Sequence, residues 1–490
     1  MVFTIESLDG LAEHMMLLRG LEPYFSDDAT DQLSQIHHPA PCPKECSDLR
    51  SLAWCSIDND SSRDLDQLTY AEFTEDKITV WIAIADVDAL VCKGSPIDRH
   101  AQTNTTSVYT PTKIFSMLPE RLSTDLTSLN EGEDRLAVVV KITFNQSGQS
   151  EGSAIFQALV HNYAKLTYSA VGEWLEGSGN LPQKVKHVSG LEKSLKCQHD
   201  LAQILREQRS VKGALTLETP EVEPELSATE EIVLKVAEHN LAHQLIEELM
   251  IASNVEMART FAEAQIPSLS RVVRIPKRWN RIVEIAYQLG ERLPTQPDPQ
   301  SLNAFLIKRR QADPVAFPDL SLAIIKLLGR GEYIVNDPKA KPIGHFGLAL
   351  PRYAHSTAPN RRFPDLIAQR QYKALLHNEK NPYSFEELRF LAQHCTTQED
   401  AANKVERQIN KSAAAIVLAS QIGTVFKGIV TGSDINGTWV RIFQPSVEGR
   451  VIKGFEPVDV GDRVSVKLVS VNIPKGYIDF VILATKSKTY

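Results

Sequence analysis

Apolar residues recur at helical spacing through Leu11, Met15, Met16 and Leu18, so residues 1–45 read as a short helical segment that ends in the loop-like HHPAPCPKEC. From Leu52 to about Gly148 the pattern shortens to strand-like runs. WCSID comes first; LTYAEF and ITVWIAIADVDALV follow across a four-residue polar turn, TEDK, which predicts a hairpin. Its second run is apolar enough for a strand covered on both faces. A further strand, LAVVVKITF, closes in the turn NQSGQSEG. From about Ala237 to Ala264 the spacing predicts one long amphipathic helix, and helices dominate to about residue 418. The last seventy residues return to five short strands with glycines at the turns: TVFKGIVTGS, TWVRIF, VEGRVIKGF, DRVSVKLVSVN and YIDFVIL. That is the pattern of a small closed barrel of the OB type. The predicted class is α+β: a sheet core with packed helices, then a β-barrel.

At 490 residues the chain is long enough for roughly three domains. With 42% hydrophobic and 23% charged residues, it is neither disordered throughout nor collagenous. No run approaches the roughly 20 apolar residues of a membrane span, so no membrane association is expected. The opening MVFTIESLDG lacks the basic and apolar stretches of a secretory leader. Six cysteines in so long a chain do not form a disulfide framework, and a reducing cytoplasm is the expected setting. The formal charge of −8 argues against a nucleic-acid partner until its distribution is considered. From Gln421 to Tyr490 nine basic residues face six acidic ones, which leaves the tail at +3 and the body at −11. A mildly basic module follows an acidic body.

The densest chemistry lies in Asp58-Asn59-Asp60-Ser61-Ser62-Arg63-Asp64-Leu65-Asp66-Gln67, four carboxylates within nine residues with Arg63 as the nearby counter-charge. A solvated acidic loop is the plain reading; a divalent-cation site is the other. A calcium loop does not fit, because counting from Asp58 Arg63 stands where the sharp turn needs glycine and Thr69 replaces the closing glutamate. A loop between two strands does suit carboxylates aimed inward at paired Mg²⁺ or Mn²⁺ ions for phosphodiester hydrolysis.

SIDNDSSRDLDQL followed by ITVWIAIADVDALV resembles the catalytic signature of the ribonuclease II / ribonuclease R (RNB) family of 3′→5′ exoribonucleases. The likeness continues in order through GSPIDRHAQTNTTSVYTP, MLPERLSTDLTSLNEGEDRLAVVVKI, AKLTYSAVGEWLE, LIEELMIASNVEMAR and GHFGLALPRYAHSTAPNRRFPDLIAQR. It implies an RNB catalytic domain over residues 46–417 and an S1-type OB domain over 418–490, both binding single-stranded RNA. The implied reaction is hydrolysis from the 3′ end to nucleoside 5′-monophosphates, with Mg²⁺ (Mn²⁺ as an alternative), two ions being held once RNA is bound. By the same resemblance, the metal aspartates fall on Asp58, Asp64 and Asp66, and the fourth position, usually aspartate, on Gln67. An amide oxygen is a weaker ligand than a carboxylate, so one metal position is expected to be looser; Asp60 stands nearby as a possible substitute.

The resemblance further implies that Tyr109 packs on the 3′-terminal nucleotide in a narrow channel and that Tyr168 lies near the active site. An aromatic face suits a non-specific nuclease, because every base offers a π surface. Otherwise both are ordinary packing residues. A phenylalanine that clamps the other side of the stack falls on Leu217, which cannot stack. Arg361 matches the family's catalytic arginine, and Arg362 either pairs with an acid or binds the RNA backbone. Glu247 matches an acid near the 3′-terminal ribose; Glu248 points about 100° away on a helix. His37, His38, Cys42 and Cys46 form no recognisable zinc spacing, and His161, His345 and His355 read as structural. Only 57 residues precede the acidic loop, too few for the two cold-shock domains usual in the family, so weaker RNA binding with a shallower salt dependence is expected. The competing expectation is an RNA-binding adaptor that keeps the channel and has lost catalysis.

Overall fold

A computed structural model of the chain describes residues 5–218, 222–226, 232–236, 239–314, 316–434, 437–454, 458 and 462–486. Seven strands form the main sheet: β1 (Ser47–Asp48), β2 (Cys55–Asp58), β3 (Gln67–Thr74), β4 (Lys77–Ala85), β7 (Asp134–Asn145), β8 (Ser150–His161) and β9 (Ala164–Thr167). A separate two-stranded ladder pairs β5 (Val108–Tyr109) with β6 (Ile114–Phe115). The order across the main sheet is β1-β8-β7-β4-β3-β2-β9. Its two outermost pairs, β1 with β8 and β2 with β9, are parallel, and the pairs between them are antiparallel.

The residues of β4 explain why this sheet is a middle layer. Ile78, Val80, Ile82 and Ile84 point to one face, while Trp81, Ala83 and Ala85 point to the other, and all are buried. The first face is covered by α4 (Tyr168–Leu175), α5 (Gln183–His187), α6 (Leu191–Val211) and α7 (Leu241–Glu263). The second is covered by α2 (Asp27–Gln35), α3 (Pro96–Asn104), α11 (Phe363–Leu376) and the first turns of α12 (Phe385–Ala419). The β3–β4 ladder continues to Thr74 opposite Lys77, and Glu75 and Asp76 take φ of 50° and 63°. The hairpin therefore turns on two residues, tighter than the four-residue turn the sequence indicated.

The N-terminal segment forms two helices, α1 (Ile5–Leu18) and α2, with α1 packed on the middle of α12 through Ala12 and Met16. Cys42 and Cys46 are joined as a disulfide, which removes them as partners of His37 and His38 in any metal site. Helices α8 (Trp279–Gln288), α9 (Pro299–Ala312) and α10 (Phe317–Leu328) bury a satellite core around Trp279 and Phe305. Two further ladders, β10 (Val222–Leu226) with β11 (Ile232–Val236) and β12 (Ser268–Val272) with β13 (Glu332–Asn336), interrupt the helical stretch. The chain ends in a closed barrel, β14 (Val425–Asp434), β15 (Gly437–Phe443), β16 (Ser446–Lys453), β17 (Arg463–Asn472) and β18 (Tyr477–Lys486). The last turns of α12 enter its core through Ala414, Ala415 and Leu418. Among the described residues no helix is long and apolar enough to cross a membrane.

A buried ionic network seats α11 on the sheet. Arg370 pairs with Asp88 at 2.9 Å and Asp98 at 2.8 Å, and Lys373 pairs with Asp86 at 3.0 Å and Asp88 at 2.9 Å. Removing one member leaves buried charges uncompensated. Arg370→Ala should therefore cost about 3–5 kcal/mol of unfolding free energy. Arg63→Ala, which breaks only the exposed pair with Glu120, should cost less than about 1 kcal/mol. Denaturant titration of both variants checks this, and equal losses would refute the assignment.

Candidate active site

The strand register brings the acidic loop and the first tyrosine together. Asp58 is the last residue of β2 and lies opposite Thr167, the last residue of parallel β9, so the next residue, Tyr168, starts α4 beside the loop. The loop is pinned along its length. Asp58 Oδ1 accepts from Asn59 N at 2.8 Å and Ser62 Oγ at 2.7 Å. Ser128 Oγ accepts from Leu65 N at 2.9 Å, Leu129 N donates to Leu65 O at 2.9 Å, and Ala85 N donates to Asp66 O at 3.0 Å.

Asp66 joins this loop to a second one. Its Oδ1 accepts from Asn360 N at 3.0 Å, and its Oδ2 stands 3.5 Å from Arg361 Nε. Asn360 is fixed in turn, its Oδ1 accepting from Thr127 Oγ1 at 2.6 Å. Ser107 N donates to Arg361 O at 3.1 Å and Phe363 N to Thr105 O at 2.9 Å, so the arginine loop is clipped to the segment entering β5 and Tyr109. Burial pushes the Asp66 carboxyl up to about 7; Arg361 opposes the rise and Asp64 adds to it. Burial likewise raises Asp64, with Arg361 opposing and Asp58 adding. The Tyr109 phenol is raised by burial and feels Arg361, Asp64 and Asp66, and the Tyr168 phenol is raised by burial and then by Asp58. Asp58, Asp64, Asp66, Tyr109, Tyr168 and Arg361 thus share one electrostatic neighbourhood.

Helix α7 forms the next wall. Its N-cap Asn240 accepts from Ala242 N and His243 N and donates to Tyr168 O at 2.8 Å. Helix α4 comes this close because residue 172 is glycine: a Cβ there would collide with the Asn240 side chain. The approach stacks His243 on Tyr168 with centroids 3.9 Å apart and planes at 14°. Burial first, then His239, lowers the imidazole to about 4, with Asp58 opposing, so His243 is a neutral ring at pH 7. One turn further along α7, Glu247 keeps 60% of its side chain exposed, yet burial raises its carboxyl. The Glu247 side chain thus reaches solvent, while the protein around it still penalises its charge. Nothing local in the sequence announced His243 except its i, i+4 spacing from Glu247.

Other candidates lie elsewhere. Arg362, read as either an acid partner or an RNA contact, is turned largely inward: Nη2 donates to Asp365 Oδ1 at 2.7 Å and to Thr357 Oγ1 at 3.4 Å. Leu217 packs against the α8–α10 satellite core. Asp60 Oδ2 accepts from Ser169 Oγ at 3.2 Å, towards α4. His161 pairs with Asp134, His345 Nδ1 accepts from Leu348 N, and His355 Nδ1 bonds the Tyr333 hydroxyl at 2.8 Å. All three histidines are engaged structurally.

Among the described residues no three His, Cys, Asp or Glu side chains are arranged to hold a metal ion. In this structure Asp58 caps its own loop and Asp66 faces Asn360 and Arg361. The donor chemistry nevertheless fits a hard divalent cation. The donors are all oxygens, and burial raises Asp64 and Asp66 despite Arg361, so negative charge there is under-compensated.

Residues 46–378 match the RNB domain family, and residues 424–483 match the RNase II-type exonuclease C-terminal S1 domain. The chain belongs to the RNB family. It is 32% identical over 520 aligned residues to ribonuclease R of Escherichia coli, covering 97% of this chain and 62% of that protein. The chain thus spans less than two thirds of that relative's length. Mycoplasma genitalium RNase R, solved in complex with ribose-methylated single-stranded RNA, superposes with a TM-score of 0.86 at 22% identity, covering 96% of this chain and 77% of that one. Yeast Ssd1, a pseudonuclease, superposes at 0.73 with 17% identity over 96% of this chain and 59% of its own. These structural matches establish the fold: an RNB sheet core followed by an S1-type barrel.

The raised Asp66 predicts a pH dependence in the metal-free protein. Unfolded, its carboxyl ionises near 4; folded, it keeps its proton to about 7. The folded state binds the extra proton between those values, so this residue's contribution falls as pH rises from about 4 to about 7. Unfolding free energies of wild type and Asp66→Asn in chelator should diverge in favour of the variant over that window. Parallel curves would show that Asp66 does not titrate there.

Proposed function

We propose that this protein is a metal-dependent hydrolytic exoribonuclease that shortens single-stranded RNA from its 3′ end and releases nucleoside 5′-monophosphates. The observation that supports it best is the assembly of Asp64, Asp66, Arg361 and Tyr109 from distant parts of the chain around an under-compensated carboxylate group. Asp58, Asp64 and Asp66, with Gln67 as a neutral fourth donor, would hold Mg²⁺ or Mn²⁺, two ions once RNA is bound. Bound there, such ions supply an activated water and a clamp on the scissile phosphate. Arg361, 45% exposed in its side chain, is free to offer its guanidinium to charge developing on the phosphoryl oxygens. Tyr109 and Tyr168 offer aromatic faces to the terminal nucleotides, and Tyr168 is held flat against His243. Glu247, with its side chain open to solvent, would serve as an acceptor for a ribose hydroxyl. We read residues 46–417 as the catalytic domain, 1–45 as its helical N-terminal segment and 418–490 as an S1-type domain that guides the strand. The setting we propose is the cytoplasm.

A second reading, an adaptor that binds RNA without cutting it, is favoured by one observation: Gln67 stands where the family usually places a carboxylate, in a fold that also serves a pseudonuclease. A 5′-labelled RNA oligomer incubated in Mg²⁺ or Mn²⁺ separates the two. The expected result is a ladder shortening from the 3′ end, abolished by chelator and by Asp66→Asn, with Arg361→Ala lowering kcat by about 10²–10³. Binding without shortening in either metal would leave the adaptor. Equal degradation of an all-deoxy oligomer would overturn the choice of RNA.

A further inference from the structure

Adjacent acids on α7 are bound to different fates. Glu247 opens to solvent, whereas Glu248 turns inward and keeps 3% of its side chain exposed. Arg209, near the end of α6, meets both. Its Nε donates to Glu248 Oε2 at 2.8 Å, and its Nη2 donates to Glu248 Oε1, a two-pronged pair across the α6–α7 interface. The same Nη2 stands 3.7 Å from Glu247 Oε1. We propose that Arg209 is the positioning residue for Glu247, holding its carboxylate at the angle that accepts the 3′-terminal ribose hydroxyls and so setting the preference for ribose over deoxyribose. This rests on the reading of Glu247 as the acid that faces that sugar.

The geometry gives Arg209 this role for three reasons. A carboxylate on a helix surface has several rotamers of similar energy, and a fixed guanidinium charge 3.7 Å away favours the one that faces it. Arg209 itself does not wander, because both of its prongs are taken up by a buried carboxylate that has no other use for them. Arg209 and Arg206 also act against the burial that raises Glu247, favouring the ionised form that accepts hydrogen bonds. Arg209 touches no substrate in this arrangement. Its effect passes through Glu247, and a lysine, which cannot fork the buried acid while reaching the second one, should not replace it.

The test is a binding measurement that holds whether or not the protein cuts RNA. Fluorescence anisotropy in chelator would compare an RNA oligomer with the same oligomer carrying a 2′-deoxy sugar at its 3′-terminal nucleotide. An acceptor left without its hydroxyl should make the deoxy end bind about tenfold more weakly in wild type. Arg209→Lys should bring that ratio close to one, as should Glu247→Gln, and combining the two should change it no further. Because Arg209→Lys weakens a buried pair, the double variant Arg209→Gln/Glu248→Gln, which replaces it by a neutral hydrogen-bonding pair, provides a folded control that should also lose the ratio. A wild-type ratio in either Arg209 variant, with Glu247→Gln reducing it, would overturn the positioning role. An unchanged ratio in Glu247→Gln would overturn the assignment of Glu247 itself, and the proposal with it.

Discussion

Burying a carboxylate is costly unless another group compensates it, and Asp66 is compensated only in part. One oxygen takes a backbone hydrogen from Asn360 and the other sees Arg361 across 3.5 Å. Asn360 lies 294 residues away in sequence, so this side chain, together with the Thr127–Asn360 and Ser128–Leu65 hydrogen bonds, joins two loops far apart in the chain. The carboxylate proposed to bind metal is therefore also the joint that places the arginine. Such a group is destabilising in isolation and persists because both loops are anchored elsewhere, the arrangement expected where charge is kept ready for a ligand.

The anchoring of the arginine loop can be traced residue by residue. Asn360 and Arg361 stand immediately before α11, and α11 is fixed to the sheet by Arg370 and Lys373 against Asp86, Asp88 and Asp98. Arg362 closes the helix start by pairing with Asp365, whose Oδ1 also accepts from Ala358 N at 2.8 Å. Three consecutive residues thus divide the work. Asn360 holds Asp66, Arg361 stays partly exposed beside it and Arg362 pairs with Asp365 at the helix start. A rigid helix under the loop gives the exposed guanidinium a defined position that a free loop would not.

The parts of the fold legible in the sequence were those whose pattern is local. Strand β4 alternates Val80, Ile82 and Ile84 against Trp81, Ala83 and Ala85, and a strand apolar on both sides has to be a middle layer. The barrel was legible because its five strands each carry their own period and turn. The ladders β5–β6, β10–β11 and β12–β13 were not, since strands of two to five residues hold too few positions for a period. At the site, the acidic loop is visible as a run of carboxylates, but Tyr109, Tyr168 and Arg361 became candidates only through likeness to a family, because their proximity is a property of strand register and long-range clips. His243 and Arg209 went unnoticed: a stacked imidazole and a buried ion pair leave no spacing signature of their own. The 100° between neighbouring helix positions did suffice to put Glu247 and Glu248 on different sides.

Gln67 bears on how this cluster stays folded without metal. Burial raises Asp64 and Asp66, Asp58 adds to the rise at Asp64, and Asp64 adds to the rise at Asp66. A fourth carboxylate at the start of β3, directly after Asp66 in sequence, would add another like charge to this acidic segment. A neutral amide at this place lowers the cost of the metal-free state. The same substitution removes a charge that would attract a cation, so the two consequences cannot be separated. On the proposed reading, three carboxylates closed by an amide would exchange some grip on metal for a more stable empty loop, and the caps on Asp58 from Asn59 and Ser62 would act in the same direction. On that same reading, metal binding would have to reorient side chains that are already hydrogen-bonded, which would tie occupancy to the arrival of further oxygen ligands such as an RNA phosphate.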